Sequence, residues 1–257
     1  MNFFLTLAFL FFIGSISGWC IEVIFRKFFS SANPERKWIN PGFLIGPYLP
    51  LYGFSLCVLY LLASCESFIL IENDALRHGV LFVIMALTVT LVEFLAGLIF
   101  IKGMKVKLWD YSSQWGNIMG IICPKFTFFW AVLSAVYYFL IHPRILGALE
   151  WLSQNLAFSF IIGMFFGVFI IDFVYSSKLL TQITHFCKEN GIIVRFEELK
   201  ATVRRAEEKS ANKARFFLSI CSKSPISVHL KEYAANRKDF VEKIKNRKKK
   251  DGGKTAQ

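Results

Sequence analysis

One stretch of the chain decides the fold, Asn40-Pro-Gly-Phe-Leu-Ile-Gly-Pro-Tyr-Leu-Pro-Leu-Tyr-Gly53. It holds three prolines and three glycines in an otherwise apolar run, and both residue types disturb a regular membrane helix. In hydrocarbon, such a backbone must be covered by protein or line a wet cavity, because no water can satisfy its N–H and C=O groups. We therefore interpret the stretch as a broken or re-entrant start of a membrane helix, packed at the centre of a helical bundle. The residues expected to shape it are Asn40, Gly42, Gly46, Pro47, Tyr48, Pro50, Tyr52 and Gly53.

The composition of the chain is typical of a multi-pass membrane protein. Of its 257 residues, 55% are hydrophobic and 17% aromatic, including 29 Phe, and the mean hydropathy is +0.48. A soluble domain of this size would be far more polar. The apolar run from Phe3 to Phe25 has no basic segment before it and is longer than the core of a signal peptide. It is therefore expected to remain as the first span.

Five apolar stretches are long enough to cross a bilayer, for which about 20 residues suffice. They cover residues 3–25, 43–65, 79–101, 118–141 and 152–175. The expected fold class is all-α, a polytopic membrane bundle of about five helices with a broken start to the second helix.

The distribution of charge divides the chain into two predicted domains. Residues 1–177 contain 10 Lys and Arg against 9 Asp and Glu, whereas residues 178–257 contain 20 against 9. We interpret the first part as the transmembrane domain and the second as a basic cytoplasmic tail that is disordered at its end. Apolar residues at helical spacing predict amphipathic helices in the tail over residues 179–188, 196–221 and 228–250.

The basic residues also predict the orientation of the chain. Seven Lys or Arg follow the first and third spans, whereas the second and fourth connections contain one Arg each. Because basic residues are enriched in cytoplasmic connections, the N-terminus is expected outside and the C-terminal tail in the cytoplasm. The chain is then a multi-pass protein of the cytoplasmic (inner) membrane.

With this orientation, the charged residues of the spans lie in the cytoplasmic half of the bilayer, and the outer half is almost purely apolar. Glu22 and Arg26 lie near the inner end of the first span, Glu93 in the inner half of the third, and Asp172 near the inner end of the fifth. Glu22 and Arg26 have two equally good interpretations, as members of a polar site or as an ordinary i,i+4 ion pair that stabilises the helix. An acid as deep as Glu93 is costly unless it is paired, protonated or facing a cavity. We expect Glu93 to form a site or a specific buried network with Arg26 as its partner.

The connection Trp109-Asp-Tyr-Ser-Ser-Gln-Trp-Gly-Asn117 has two interpretations. Its aromatic residues are typical of an interfacial belt with a turn. Its polar residues would also suit a cap over a cavity. The candidate substrate-binding residues are therefore Glu22, Arg26, Glu93, Trp109, Asp110, Tyr111 and Asn117.

The sequence predicts no cofactor, no metal site and no catalytic residue. The six cysteines are scattered without metal-ligand or disulfide spacing, so buried thiols are expected. Gly252-Gly-Lys-Thr255 resembles the end of a phosphate loop, but that motif needs Gly at position 248, where this chain has Lys. The basic run at 245–250 favours an anionic inner-leaflet surface over nucleic acid, because each Lys or Arg gains about 1 kcal/mol there.

Several segments, taken in order, resemble one protein family. They are Gly18-Trp-Cys-Ile-Glu-Val23, Asn40-Pro-Gly-Phe-Leu44, Gly46-Pro-Tyr48, Pro50-Leu-Tyr-Gly53, Glu93 with Gly97, Trp109-Asp-Tyr-Ser112, Asn117-Ile118 with Gly120, Ile122-Cys123 and Ile141-His-Pro143. The chain resembles the CmpB-type ABC-transporter permeases, also described as ABC-transporter type IV, over about residues 14–175. The resemblance implies a permease-like component. Since this chain has no ATPase motif, a separate ATPase subunit would then be its partner.

Three functions remain open at this stage. The favoured one is a transport component with a polar site in the cytoplasmic half of the bilayer, which would need a homo-oligomer to provide an exit path. The second is a membrane enzyme acting on a lipid or lipid-linked substrate, with Glu93 or Asp110 as general base and Arg26 holding a phosphate. The third is a scaffold or sensor in which buried charges only fix helix packing. Membrane lipids are expected partners in each case.

Overall fold

The computed structural model describes residues 3–30, 33, 35–153, 155–209 and 225–237. The helices of these ranges are α1 (Phe3–Phe28), α2 (Pro50–Ser64), α3 (Asp74–Leu98), α4 (Pro124–Ala135), α5 (His142–Ser153), α6 (Leu156–Glu189), α7 (Phe196–Lys209) and α8 (226–237). Two short strands, β1 (Val106–Lys107) and β2 (Val194–Arg195), pair in parallel with Val106 opposite Val194. Wide π-helical turns extend α3 over Ile99–Gly103 and α4 over Val136–Ile141.

Four helical stretches of the described chain are long and apolar enough to cross a membrane. They are Phe3–Phe28, Asp74–Gly103, Pro124–Ile145 and Ala157–Glu189. The fifth apolar helix, α2, has 15 residues and extends about 22 Å. The remainder of the predicted second span, residues 43–49, is not helical. The predicted membrane bundle with a broken start to its second helix is confirmed.

The boundaries of several spans differ from those expected. The fourth helix begins at Pro124 rather than at residue 118, because Ile118 N donates to Ile122 O at 2.9 Å and closes a tight turn. Pro124 then occupies the first turn of α4, where its missing N–H costs nothing. The last long helix begins at Leu156, because α5 occupies residues 142–153, and it continues to Glu189. The predicted domain boundary at residue 177 falls inside this helix and stays a prediction.

The helices of the bundle pack around an apolar core in which Leu10 and Met85 are fully buried. The closest approach joins α1 and α2. A Cβ on Gly18 would lie 2.1 Å from Cγ of Tyr52, and a Cβ on Gly53 would lie 2.3 Å from Oγ of Ser15. Because both positions are glycine, the two helices contact each other almost backbone to backbone.

A second apolar core joins the end of α6 to the paired strands, α7 and α8. Its fully buried members include Ile183, Val194, Phe196, Leu199 and Val203. The strand pairing connects the segment after α3 with the segment after α6, so the described part of the tail packs against the bundle through backbone bonds as well as side chains. We call residues 191–209 and 225–237 the tail module.

The tail predictions are met in part of their range. The expected helix from residue 196 begins at Phe196 and is described to Lys209, and residues 226–237 are helical. The expected helix over residues 179–188 is the last part of α6. Residues 210–221 and 238–250 of the other two predicted helices lie outside the described residues, and so do the basic run at 245–250 and Gly252–Thr255. Five cysteines of the described ranges, Cys20, Cys57, Cys65, Cys123 and Cys187, are free thiols. Cys123 and Cys187 are buried as expected, but the expectation is wrong for Cys20, which is exposed on α1, and for Cys65, which is exposed at the end of α2.

Candidate functional site

The broken segment, residues 40–49, is held by side chains that replace the missing helical hydrogen bonds. Asn40 is 2% exposed, and its Oδ1 accepts a 2.7 Å bond from Trp19 Nε1. Its Nδ2 donates to the carbonyl oxygens of Leu44 and Ile45 at 3.2 and 2.8 Å. Asn40 therefore fixes the start of the segment and ties it to α1.

Asp172 of α6 binds the middle of the broken segment. Its carboxylate accepts bonds from the backbone N–H groups of Ile45 at 3.0 Å and Gly46 at 2.7 Å. The hydroxyls of Tyr48 and Ser176 donate to it at 2.6 and 2.8 Å. Burial of this carboxylate is tolerable because four donors surround it.

The remaining residues of the broken segment shape its path. Gly42 has φ +74°, in the left-handed region that favours glycine, and Leu49 N donates to Ser15 O at 2.9 Å. Pro47 is exposed, and Pro50 opens α2. The segment is thus covered by protein on the α1 and α6 sides, as its sequence required.

Glu93 lies at the centre of the bundle and is 3% exposed. Trp130 Nε1 donates to its Oε2 at 2.8 Å, and the Tyr111 hydroxyl donates to its Oε1 at 3.2 Å. The ring of Tyr111 stacks on Phe126 with centroids 4.2 Å apart, which fixes the position of the hydroxyl. The expected pairing of Glu93 with Arg26 is wrong, because Arg26 contacts two other acids.

Arg26 joins the first span to the tail module. Its Nε donates to Oε1 of Glu22 at 2.9 Å, and its Nη1 lies 2.9 Å from Oε2 of Glu197 in α7. The Tyr52 hydroxyl donates to Oε2 of Glu22 at 3.2 Å, and the Tyr52 ring lies 4.9 Å from the Trp130 ring between centroids. Tyr52 and Trp130 therefore link the ion pairs to the Glu93 cluster.

Lys200, one turn after Glu197, reaches the broken segment. Its side chain is 7% exposed, and its Nζ donates to the carbonyl oxygens of Asn40, at 3.0 Å, and Gly42. The third neighbour of the ammonium is Glu197 Oε1 at 3.5 Å. Burial lowers the pKa of Lys200. Burial alone would raise the pKa of Glu197, but the charges of Arg26 and Lys200 outweigh it and hold that pKa below its ordinary value.

Asp110 faces the tail module. Arg195 Nε lies 2.8 Å from its Oδ2, Lys107 Nζ lies 3.2 Å from its Oδ1, and Ser112 donates to Oδ1 from its backbone N–H at 3.1 Å and from its hydroxyl. Burial alone would raise the pKa of Asp110, but these donors and charges lower it. All three partners are local or belong to the tail, so Asp110 helps to dock the module.

Trp109 and Asn117 stabilise the connection itself. Trp109 Nε1 donates to Ile121 O at 2.9 Å. Asn117 donates to Gln114 O at 2.8 Å and accepts from Gly120 N at 3.1 Å. Within the part of the chain that the structure describes, neither side chain forms a hydrogen bond to Glu93, Tyr111 or Trp130.

The structure therefore brings Glu22, Arg26, Tyr52, Glu93 and Tyr111 into one polar network. Sequence reasoning did not find three further members of it, Trp130, Glu197 and Lys200. Trp130 lies in a Phe-rich run typical of a lipid-facing surface, and the two charges of α7 have the i,i+3 spacing of an ordinary solvated helix pair. No local signal distinguished them.

A second polar cluster lies at the other end of the bundle, around the connection between α2 and α3. Glu66 accepts from the Tyr138 hydroxyl at 2.8 Å and from Arg77 Nε at 3.3 Å, and its Oε1 lies 3.0 Å from His78 Nε2. Glu66 and Arg77 belong to the connection that the sequence placed between the second and third spans, and Tyr138 ties them to the helical extension of α4.

The four long apolar helices, with partly buried ion pairs beside them, define a multi-pass membrane protein. In the ranges that the structure covers, no three His, Cys, Asp or Glu are grouped to hold a metal ion. Residues 9–177 match the family described as Putative ABC-transporter type IV, and the chain belongs to that family. No curated protein and no solved structure matches the chain.

Proposed function

We propose that the chain is a permease-like transport component that binds a polar or amphiphilic solute in the cytoplasmic half of the bilayer. The observation that carries the proposal is the network that connects Glu93, inside the bundle, with Glu22, Arg26 and the backbone of the broken segment. Transporters build substrate sites from discontinuous helices, where free backbone groups meet buried charges. The family to which the chain belongs supports a role in transport.

The proposal places the network at the inner side of a cytoplasmic membrane, with the N-terminus outside. Basic residues after α1 and after α3 support that orientation. A separate ATPase subunit would supply the energy, and a second copy of the chain would complete the path through the outer half. Anionic lipids of the inner leaflet would hold the basic tail.

Catalysis on a lipid is less well supported than transport. Asp110 was one of two candidate general bases, and its two oxygens are engaged by Arg195, Lys107 and Ser112. A carboxylate that is ion-paired in this way is a poor proton acceptor. Glu93 alone would have to serve as the base.

The proposal is tested by purifying the wild type and Glu93→Gln with native lipid and identifying co-purifying molecules by mass spectrometry. We expect a specific solute or lipid in the wild type and its loss in the variant. Glu72→Gln is the matched control, because Glu72 is an exposed residue of the α2–α3 connection. If both samples contain only the same bulk lipid and the two proteins are equally stable to heat, the proposed site is wrong. If the variant only loses stability, the network fixes packing, as in a scaffold.

A further inference from the structure

The tail helix α7 directs two opposite charges towards the C-terminal end of α1 and the broken segment. Its apolar face, with Phe196, Leu199 and Val203, is buried in the second core, so apolar packing holds the helix in addition to its charges. Glu197 and Lys200 lie at the edge of this face, where Lys200 Nζ is 4.9 Å from the centroid of the Phe196 ring, and both contact the membrane part. Each contacts a different kind of group there.

The carboxylate of Glu197 meets a guanidinium. Arg26 uses its Nε for Glu22 and its Nη1 for Glu197, so only part of its five-donor fork is devoted to the tail. Arg is the residue that best matches the oxygens of a carboxylate or a phosphate. When Glu197 moves away with α7, Arg26 remains paired with Glu22, and this ion pair is neutral overall. The guanidinium N–H groups that had bound Glu197 then become available to another anionic group.

The ammonium of Lys200 meets backbone oxygens. The carbonyl groups of Asn40 and Gly42 accept from it, and Glu197 Oε1 lies 3.5 Å away as the third neighbour. Three acceptors match the three N–H bonds of a primary ammonium. A quaternary ammonium has no N–H and would leave these two carbonyl oxygens without a donor.

We infer that this site recognises a compact zwitterion, in which a primary ammonium lies close to a phosphate or carboxylate, and that Glu197 and Lys200 occupy those two positions while α7 is docked. The inference rests on the proposed function and names the substrate class of the same site. The ligand anion binds Arg26 in place of Glu197, and the ligand ammonium binds the carbonyl groups of Asn40 and Gly42 in place of Lys200. Docked α7 is thus a competitor of the ligand.

Phosphoethanolamine has this chemistry, because two carbons separate its ammonium from its phosphate. The same group occurs free and as the head group of phosphatidylethanolamine in the bilayer. Phosphocholine is the matched negative ligand, because it differs by methyl groups that remove every N–H. A site that recognises only the phosphate would not distinguish the two.

The test measures binding of free phosphoethanolamine and free phosphocholine to the full chain in nanodiscs of phosphatidylcholine, by calorimetry. The variant is Glu197→Gln/Lys200→Met, which removes both competing charges. The apparent affinity of a ligand is reduced when only a fraction of the protein is in the state that can bind it. Because the variant lacks the two competing charges, we expect it to bind phosphoethanolamine about tenfold more tightly than the wild type. Binding of phosphocholine should not change. Adding Arg26→Gln to the variant should abolish the gain.

A second arm distinguishes the two sources of the ligand. Nanodiscs containing phosphatidylethanolamine should suppress binding of the free compound if the membrane lipid is the natural ligand, and should leave it unchanged if the free compound is. Glu198→Gln is the control on the same helix, because Glu198 binds Arg195 and Tyr233 at 3.0 Å and faces away from Arg26. It should give wild-type affinity.

Two results would overturn the inference. One is a folded double variant that gains no affinity for phosphoethanolamine, and the other is an equal gain for phosphocholine. If the double variant does not fold, Glu197→Gln alone replaces it, because this variant keeps the Lys200 contacts. It should bind inorganic phosphate more tightly than the wild type. An unchanged affinity for phosphate would also overturn the inference. A co-purified solute without an ammonium group, lost in Glu93→Gln, would leave the proposed function standing and contradict this inference.

Discussion

Trp130 Nε1 donates a 2.8 Å hydrogen bond to Oε2 of Glu93, and both side chains are buried inside the bundle. Trp130→Phe keeps an aromatic ring beside Tyr52 but removes the donor. Glu93 is then left with Tyr111 alone, and a buried acceptor that loses its partner costs about 1–3 kcal/mol. We expect a lower thermal unfolding temperature in detergent.

The control for this change is Trp115→Phe, because Trp115 is 87% exposed. It should unfold at the wild-type temperature. Equal stability of Trp130→Phe and the wild type would mean that the indole bond contributes nothing to the Glu93 cluster.

Asp172 should determine whether the broken segment keeps its path. Asp172→Ala leaves the N–H groups of Ile45 and Gly46 and the Tyr48 hydroxyl without their acceptor. Each unsatisfied donor costs about 1–3 kcal/mol unless water enters. We expect faster hydrogen exchange over residues 44–49, measured by mass spectrometry.

Ser176→Ala is the comparison for this prediction, because it removes one donor to Asp172 and leaves the three contacts to the broken segment. Its exchange over residues 44–49 should stay close to that of the wild type. An unchanged exchange rate in Asp172→Ala would show that Asn40 and the α1 contacts hold the segment without α6.

Close packing of α1 on α2 predicts a strong effect at a single glycine. In Gly18→Ala the new Cβ would lie 2.1 Å from the ring of Tyr52, and overpacking of this kind costs about 1–3 kcal/mol. Since Tyr52 also donates to Glu22, the change should disturb the ion pairs together with the packing. Thermal unfolding measures the first effect, and solute co-purification measures the second.

Gly163→Ala tests whether the effect is specific to the α1–α2 contact. A Cβ on Gly163 would meet nothing within 4 Å, although this glycine also lies in a membrane helix. The substitution should be neutral or slightly stabilising. A similar loss of stability at both glycines would attribute the effect to lipid contacts rather than to the α1–α2 contact, because Ala has the higher helix propensity.

The sequence predicted those parts of the site that have a local signature. Glu93 is recognisable because apolar helix surrounds it, and the broken segment because proline and glycine interrupt an apolar run. Arg26 was assigned the wrong partner because Glu197 lies in a distant tail helix with ordinary amphipathic spacing. Long-range pairing of this kind is decided by how the module docks, which depends on the strand pairing of Val106 with Val194 and on the second core.

The helix boundaries, too, could be predicted only where the sequence contains a local signal. Prolines and caps mark the beginnings of helices, such as Pro50 for α2 and Asn73, whose side chain accepts from Leu76 N at 3.1 Å to begin α3. Hydropathy separated the last two spans at residues 142–151 but gave no sign that this connection forms a helix, α5. The amphipathic helix expected over residues 179–188 ends where α6 ends, at Glu189, but the sequence did not indicate that it continues the last span without a break.

Natural cysteines provide a test of the proposed orientation. Cys65 is exposed at the C-terminal end of α2, which the proposal places outside. A membrane-impermeant maleimide should therefore label intact cells at Cys65, and Cys65→Ser should remove that labelling. Cys123 and Cys187 are buried and should react only after unfolding. Labelling of Cys65 that requires permeabilised cells would mean the opposite orientation.

Acid should weaken the docking of the tail module, because two acids in its contacts with the bundle, Glu197 of the module and Asp110 opposite it, have lowered pKa values. Burial opposes ionisation of both Glu197 and Asp110, but neighbouring cations and hydrogen bonds hold their pKa values below the ordinary ones of about 4.3 and about 3.9. The folded protein therefore holds these protons less tightly than the undocked chain does. Their contribution to docking is complete above about pH 4.5 and is lost as the pH falls through the lowered values.

We therefore expect constant hydrogen-exchange protection of residues 196–206 between pH 7 and pH 5, after correction for intrinsic exchange rates, and a loss of protection at lower pH. Asp110→Asn/Glu197→Gln removes both titrating groups, so its protection should be weaker at neutral pH and should change less on acidification. Protection that rises towards acid in the wild type would contradict the sign of the prediction. Protection that falls equally in the wild type and the double variant would locate the acid-sensitive groups elsewhere, because the only two changed residues would then contribute nothing to the transition.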